Sequence, residues 1–506
     1  MRKSFLPVVF LFVAFCTQAT VALPDAHRPQ SPEAEADATR NAIRDAFFNI
    51  KNNDWDAAAA AFDAAIHSRG FATLPEELRY PTLLTAGQVA ERAEKHAVAH
   101  ALLVQATHSS QADAPAWHER LSAAYALSDD VDSGLCLTTI AQRWPGTLDQ
   151  INSSAIYTLE RRLGKLPDTS HQMAMLQALF DAHWLSDEGE PSDFWRDLAL
   201  LHLGKRDIDQ AKLAAARVRS ARIAISMRID KRFDAVTLAN PGAFDVDRIA
   251  ATELETARAD AKAAPDTLRP LVVLQGVLLN LRRFDEVVAL GDAVIARASE
   301  DAGKSVYTDY DDRYVWVLDQ RSRALAALGR SDDAIAQWER STRHPENGEV
   351  NVSQVLNLGG YYADLQRPDD ALEVISELGP MSPYGRMQLE MVQLVAAIDQ
   401  SDSAATATHL AFMREHRGEA ISTWQNALLM TGDLDAAADL LVERLRSEQW
   451  RGGALEDIQD YAGTEMTPMG AQRQARLKSV LARPEVLRAL DKVGRIERFN
   501  LASQQI

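Results

Sequence analysis

"LNLGGYYADLQRPDDALEVI", Leu356 to Ile375, is the stretch on which the reading of this chain turns. It has no catalytic spacing, yet its small residues fall at helical intervals. Leu358-Gly359 precedes Tyr362, and Ala371 and Ile375 follow at positions that share a face of a second helix. Pro368 suits the first turn of that helix because its φ is already helical, and Asp369 places negative charge at the helix N-terminus. Gly359 and Ala371 lack bulk, so two antiparallel helices can approach closely. Tyr362 and Ile375 then fill the space between neighbouring pairs. Gly360 and Tyr361 are left over by this scheme, so they are candidates for contacts beyond packing.

The same arrangement recurs. Trp195, Leu198, Ala199 and Ala211 repeat it within "FWRDLALLHLGKRDIDQAKLAA". So do Leu121, Ser122, Tyr125 and Gly134 in "WHERLSAAYALSDDVDSGLCL", and Gly329, Ala334 and Trp338 in "RALAALGRSDDAIAQWERS". Trp55, Ala58, Phe62 and Ala65 begin the series; Gly432, Leu434 and Ala437 end it. This pattern resembles the tetratricopeptide repeat, with its Leu-Gly and Tyr on a first helix and its Ala and apolar residue on a second. The resemblance implies an all-α fold, a superhelical array of antiparallel helix pairs (an α-solenoid), over residues 38–445. Second-helix small residues are assigned at Ala58, Ala97, Gly134, Ala174, Ala211, Ala250, Val287, Ala334, Ala371, Ala404 and Ala437. The wide gap before Ala334 holds "ASEDAGKSVYTDYDDRY", read as an inserted loop near 299–314. Residues 446–506 change character and read as a C-terminal helical cap, which a repeat array needs to hide its last apolar face.

The N-terminus carries a different message. Arg2 and Lys3, the apolar run Phe5–Cys16 and small residues ending at Ala22 form a secretory signal peptide, 1–22. The apolar run is shorter than the ~20 residues that span a bilayer. Residues 23–37 ("LPDAHRPQSPEAEAD") read as a flexible leader. Cleavage removes Cys16 and leaves Cys136, so no internal disulfide is expected. The expected location is the periplasm of a Gram-negative bacterium.

Composition excludes some functions. With 54 Lys+Arg against 72 Asp+Glu the net charge is −18, which argues against nucleic acid as a partner. The cations of "ARVRSARIAISMRIDKR" (Ala216–Arg232) read as the solvated face of a helix. The chain contains no G-x-S-x-G, P-loop, H-E-x-x-H or C-x-x-C, so no catalytic residue and no cofactor are assigned. His96 and His100 share a helix face near Glu91 and Glu94, but a metal site needs a third ligand from elsewhere, so no metal is assigned. Trp117, Trp144, Trp184, Trp195, Trp338 and Trp424 sit at core offsets and read as packing rather than as carbohydrate platforms. Tyr307, Tyr310 and Tyr314, in or beside the loop, are the candidates for exposed partner contacts. Asn357, Tyr361 and Gln393, with Gly360, are candidates on the inner groove.

A signal peptide joined to an α-solenoid without catalytic motifs points to a non-enzymatic periplasmic scaffold. It would bind protein or cell-envelope glycan partners on a concave surface, and by resemblance would serve envelope assembly or polysaccharide export. The alternative is a helical component related to lytic transglycosylases acting on peptidoglycan. Against it, too few residues follow the array for a lysozyme-like domain. Neither the partner nor the oligomeric state follows from the sequence.

Overall fold

A computed structural model describes residues 31–300, 306–345, 350–463 and 467–503. The signal peptide and the first part of the leader lie outside them. The chain divides into two compact units, Met1–Trp144 and Pro145–Ile506.

The first unit holds α1 (Pro32–Lys51), α2 (Trp55–Ile66), α3 (Glu76–Arg92), α4 (His96–Thr107), α5 (Ala114–Ala126) and α6 (Asp130–Arg143). The second begins with α7 (Ser153–Leu163), α8 (Ser170–Asp181), α9 (Ser192–Gly204) and α10 (Ile208–Ala215). It continues with α11 (Ala221–Ile229), α12 (Asp234–Thr237), α13 (Val246–Ala263), α14 (Arg269–Asn280), α15 (Phe284–Glu300), α16 (Tyr310–Ala327) and α17 (Ser331–Thr342). Then come α18 (Val352–Asp364), α19 (Pro368–Val374), α20 (Pro383–Asp399), α21 (Ser403–Glu415), α22 (Ile421–Thr431) and α23 (Leu434–Arg446). The chain finishes with α24 (Arg451–Asp457), β1 (Asp460–Tyr461), α25 (Pro468–Leu481), α26 (Pro484–Val493) and β2 (Arg498–Phe499).

One turn builds the pairs. Asn53, Glu94, Ser128, Arg206, Arg282, Gly329, Gln366, Ser401 and Gly432 all have left-handed φ, between 57° and 79°. Each stands between the two helices of a pair. In every case the next residue donates its N–H to a carbonyl five positions back, at 2.9–3.1 Å, as in Lys95 to Ala90 and Asp402 to Ala397. This is the Schellman closure of a helix end, which satisfies an otherwise orphaned carbonyl. Where that next residue is aspartate, its carboxylate caps the second helix: Asp54, Asp129, Asp207, Asp402 and Asp433 each accept from an N–H of the following turn. The repeated turn and close-packed pairs make this a tetratricopeptide-like array of helix pairs.

The opening stretch behaves as its spacing predicts. Gly359 lies so close to the second helix that a Cβ there would stand 2.7 Å from Cγ2 of Ile375. Leu358, Tyr362, Ala371 and Ile375 are buried in one core. Gly360 is different: a Cβ there would meet only Cγ2 of Val392, at 4.0 Å.

Several expectations need correction. Residues 32–37 are the first turns of α1, because Ser31 accepts from the Ala34 N–H and Pro32 opens the helix. Helix takes in both ends of the loop assigned near 299–314, since α15 runs to Glu300 and α16 starts at Tyr310. Asp309 accepts from the N–H groups of Leu268 and Arg269, pinning this connection to the start of α14. Ala97, Ala174 and Ala404 are exposed, and Ala99 and Met175 take the buried places beside the first two. The array is also interrupted. Between the turns at Arg206 and Arg282 lie α11, α12 and α13, joined by 3-10 segments rather than by the repeated turn. Ala250 therefore sits on α13, outside any such pair.

That interruption is where the chain's end docks. Helix contacts within the second unit run from α11 through α13, α14, α16, α17, α18, α20, α22, α23 and α24, and α24 touches α11 again. β2 pairs in parallel with β1, Asp460 opposite Arg498. The Arg495 N–H donates to the Ile229 carbonyl at 3.0 Å and the Ala502 N–H to the Asn280 carbonyl at 2.8 Å. Arg228 pairs with Glu497 and Arg495 with Asp234, both at 2.6 Å. Arg222 donates to the Asn280 side chain and the Ala502 carbonyl. Arg222, Arg228 and Lys231 thus hold the C-terminal segment, Arg217 pairs with Glu190 and Arg232 with Asp230; of these cations only Arg219 is exposed, which corrects the expected solvated face.

Two predictions follow from these close approaches. Gly359→Ala is expected to lower unfolding free energy by roughly 1–3 kcal/mol, because the added methyl overpacks a helix contact, whereas Gly360→Ala leaves it unchanged or slightly raised. Denaturant titration of both variants checks the contrast. At Gly494 a Cβ would stand 2.4 Å from Leu455 and 2.7 Å from the Ile229 carbonyl. Gly494→Ala is expected to loosen the closure, seen as faster hydrogen exchange across α11 with little change in the first unit.

Candidate functional site

The repeated pairs leave one face of each first helix uncovered by its own partner. On α18, Ser353, Asn357, Gly360 and Asp364 recur at helical spacing and line a cavity. On α20, Tyr384, Gln388, Met391 and Val395 do the same, and on α22 Ser422 and Asn426. Trp316 and Arg323 of α16 and Trp338 of α17 form one end. The cavity has a volume of about 1060 Å³. A second cavity of about 540 Å³ shares Trp338, Tyr361, Asp364, Asn426, Asp457 and Arg473 with it. The second is walled further by β1 and α25, so the segment that closes the unit also forms part of the site.

Buried charges orient the lining. Asp319 on α16 is 3 % exposed as a side chain and accepts from three of the lining residues. Its donors are Nε1 of Trp338 at 3.0 Å, Nδ2 of Asn357 at 2.9 Å and Nε of Arg323 at 2.7 Å. The adjacent carboxylate raises the guanidinium pKa of Arg323, against the opposing effect of burial. Arg444, 1 % exposed as a side chain, donates to both Ser422 and Asp457, which line the cavity. Asp364 is pushed up by burial, with Arg473 and Thr467 pulling the other way. Tyr361 stacks obliquely on Trp338, ring centroids 4.9 Å apart, and its hydroxyl donates to Ser331.

The sequence-derived candidates separate into two groups. Asn357, Gly360 and Tyr361 line the larger cavity. Gln393 is half-buried and lies outside the cavity wall. The expectation that Tyr307, Tyr310 and Tyr314 are exposed is corrected. Tyr307 and Tyr314 are buried, in one core with Leu268, Val294 and Leu318, and Tyr310 stacks half-buried on Tyr314 at 4.5 Å. The connection is anchored by Asp309, so its aromatic residues turn inward. Trp117, Trp184, Trp195, Trp338 and Trp424 are buried and Trp144 is half-buried. Sequence reasoning missed Trp316, Tyr384 and Arg473. A signal for Tyr384 existed, since it occupies the second position of α20, matching Ser353 in α18 and Ser422 in α22.

Other chemistry-bearing groups serve structure. Cys136 is buried, and burial pushes its thiol pKa up, away from reactivity. His96 pairs with Glu91 and His100 with Asp132, so the two imidazoles go to different carboxylates. Among the described residues no group of three side chains could hold a metal ion. No described helix is long and apolar enough to cross a membrane.

No family model matches this chain, and no curated protein matches it. Among solved structures it is similar to a tetratricopeptide repeat protein from Parabacteroides merdae, with 12 % identity over 70 % of this chain and 99 % of that one, TM-score 0.29. It is similar to yeast Tom70 at 11 % identity, covering 90 % of this chain and 100 % of that one, TM-score 0.29. The APC/C hetero-tetramer Cut9-Hcn1 is similar at 12 % identity, covering 91 % of this chain and 93 % of that one, TM-score 0.28.

One carboxyl outside the cavities carries a pH prediction. Glu160 on α7 is 6 % exposed and accepts from Nε2 of Gln172 at 2.7 Å. Burial, then the charge of Asp197, raises its pKa from 4.5 to about 7. The folded state therefore binds this proton more tightly than the unfolded state. The resulting stability is full below 4.5 and is lost as pH rises towards about 7. Glu160→Gln is expected to recover on the order of 2–3 kcal/mol at about pH 8 and almost nothing at about pH 4. Chemical denaturation at the two pH values tests it.

Proposed function

We propose that this chain is a non-enzymatic binding scaffold that receives a partner in the groove lined by α16, α18, α20 and α22. The observation that carries this reading is the contiguity of the lining. Successive first helices contribute aromatic, amide and charged side chains to an open space of about 1060 Å³, held in place by buried carboxylate and guanidinium anchors. Binding sites combine apolar walls with a few oriented polar groups in this way. Tyr384, at 60 % exposed, and Val350, at 54 %, add accessible apolar surface at the groove.

The signal-peptide pattern of residues 1–22 supports a periplasmic location, and with it a role in envelope assembly or polysaccharide export. Its partner there is a protein or a cell-envelope glycan. The acidic balance of −18 is consistent with a partner other than nucleic acid.

The test uses the full chain as bait in a periplasmic extract. Wild-type protein is expected to retain a specific protein or glycan. A Trp316→Ala/Tyr384→Ala double variant is expected to retain at least ~10-fold less, with an unchanged unfolding transition. A partner held equally by both would reject the groove. A clear lysis band on a peptidoglycan zymogram would reject the non-enzymatic reading.

A further inference from the structure

α25 is seated on the array rather than built into it. It packs on α18, α22 and α23, yet only Met469, Gly470 and Val480 of its 14 residues are buried. By contrast α22 buries seven of its 11. Met469, Arg476 and Val480 stand at i, i+7 and i+11 and share one helix face. Met469 enters the core that holds Tyr362 and Met430, and Val480 the core that holds Leu440 and Leu441. Nη1 of Arg476 donates to the carbonyls of Leu429, at 2.8 Å, and Met430. Both carbonyls belong to the last turn of α22, where a cation is favoured.

The adjoining face of α25 is not packed. Gly470, Arg473, Gln474 and Leu477 line the cavity of about 540 Å³, with Ala326, Ala327 and Trp338 among its other walls. Glycine brings no side chain to this space, and the arginine and glutamine bring polar ones. A helix with larger apolar residues at these positions would keep the first face and fill the cavity as well, and close packing is what a protein interior rewards.

Charge identifies what suits the seat. α25 carries Arg473, Arg476 and Lys478 and no acidic residue, in a chain whose net charge is −18. The seat supplies carboxylates. Asp364 lies 3.5 Å from Thr467 at the start of α25, and Asp435 pairs at 2.7 Å with Arg483 just beyond its end. Asp457 lines the same cavity. Opposite charges of this kind select a basic helix over an acidic one.

We propose that α25 is a displaceable, autoinhibitory helix, and that its seat on α18, α22 and α23 docks a basic amphipathic helix of a partner protein, one that fills the cavity α25 leaves open. The inference rests on the scaffold reading and adds to it a second surface beside the groove.

The experiment combines hydrogen exchange of the full chain with a fluorescein-labelled peptide of residues 467–483 carrying Gly470→Leu and Gln474→Leu. Amides of α25 are expected to exchange at least ~10-fold faster than those of α22 and α23, by opening on their own. Thr467→Ala in the full chain removes the side chain that accepts from the Gly470 N–H and caps α25. It is expected to speed α25 exchange about fivefold, the scale of a lost cap, leave α22 unchanged and tighten peptide binding by the same factor. A peptide that also carries Arg476→Ala and Val480→Asp is expected not to bind. Exchange of α25 in step with α22 and α23, peptide binding to neither protein, or equal binding to both would each overturn the proposal. Trp316→Ala/Tyr384→Ala is expected to bind the peptide as wild type does. Loss of the peptide in that variant would move the docking site into the groove and overturn the seat. An extract partner held equally by wild type and that variant, with peptide binding intact in both, would reject the groove and support the seat.

Discussion

Nine of the described helix pairs each depend on one left-handed residue and the N–H that follows it. A non-glycine residue in this conformation costs about 1 kcal/mol, yet Glu94, Arg206, Arg282 and Gln366 all adopt it. The cost is offset because the turn closes the first helix and aims the second back along it, so both bury an apolar face. Small residues such as Gly359 and Ala371 then let the helices meet. Everything else in the array is built on that repeated geometry, including the alignment of Ser353, Tyr384 and Ser422 at one register and of Asn357, Gln388 and Asn426 at another.

The second consequence is the break. Where the turn is missing, between α10 and α14, the chain offers a surface that is not the next member of a repeat. The C-terminal segment fills it, using main-chain hydrogen bonds to Ile229 and Asn280 and ion pairs to Arg228 and Asp234. Interactions between residues this far apart in sequence carry a large loop-closure cost. They are repaid by a continuous core in which α11 and α24 share Ile225, Ile229, Ala454 and Leu455. The C-terminal region that carries the closing contacts also supplies Asp457 and Arg473 to the cavities.

Much of the architecture was legible because it is local. Helix pairs announce themselves through Pro368, through the capping aspartates and through small residues opposite bulky ones. The same local reading misplaced Ala97, Ala174 and Ala404, where no second signature residue set the register. It took Ser31-Pro32 for part of a leader, since composition over fifteen residues outweighed a two-residue helix start. It also exposed Tyr307 and Tyr314, because nothing nearby in sequence reveals that Asp309 ties their connection to α14. Asn357, Gly360 and Tyr361 were found as residues that packing left over; Trp316, Tyr384 and Arg473 were not, as each looks like an ordinary helix residue.

By itself the sequence determined that the chain is helical, that its helices come in pairs, and which small residues let them touch. Those properties depend on contacts within about forty residues, where periodicity and caps are written directly. Only the tertiary structure decided where the array is interrupted, that the C-terminal segment returns to α11, and that a buried aspartate on α16 orients side chains from α16, α17 and α18. The return of the C-terminal segment rests on partners 267 and 280 residues apart, and the Asp319 contacts, though nearer in sequence, rest on which helices pack side by side; no spacing rule encodes either.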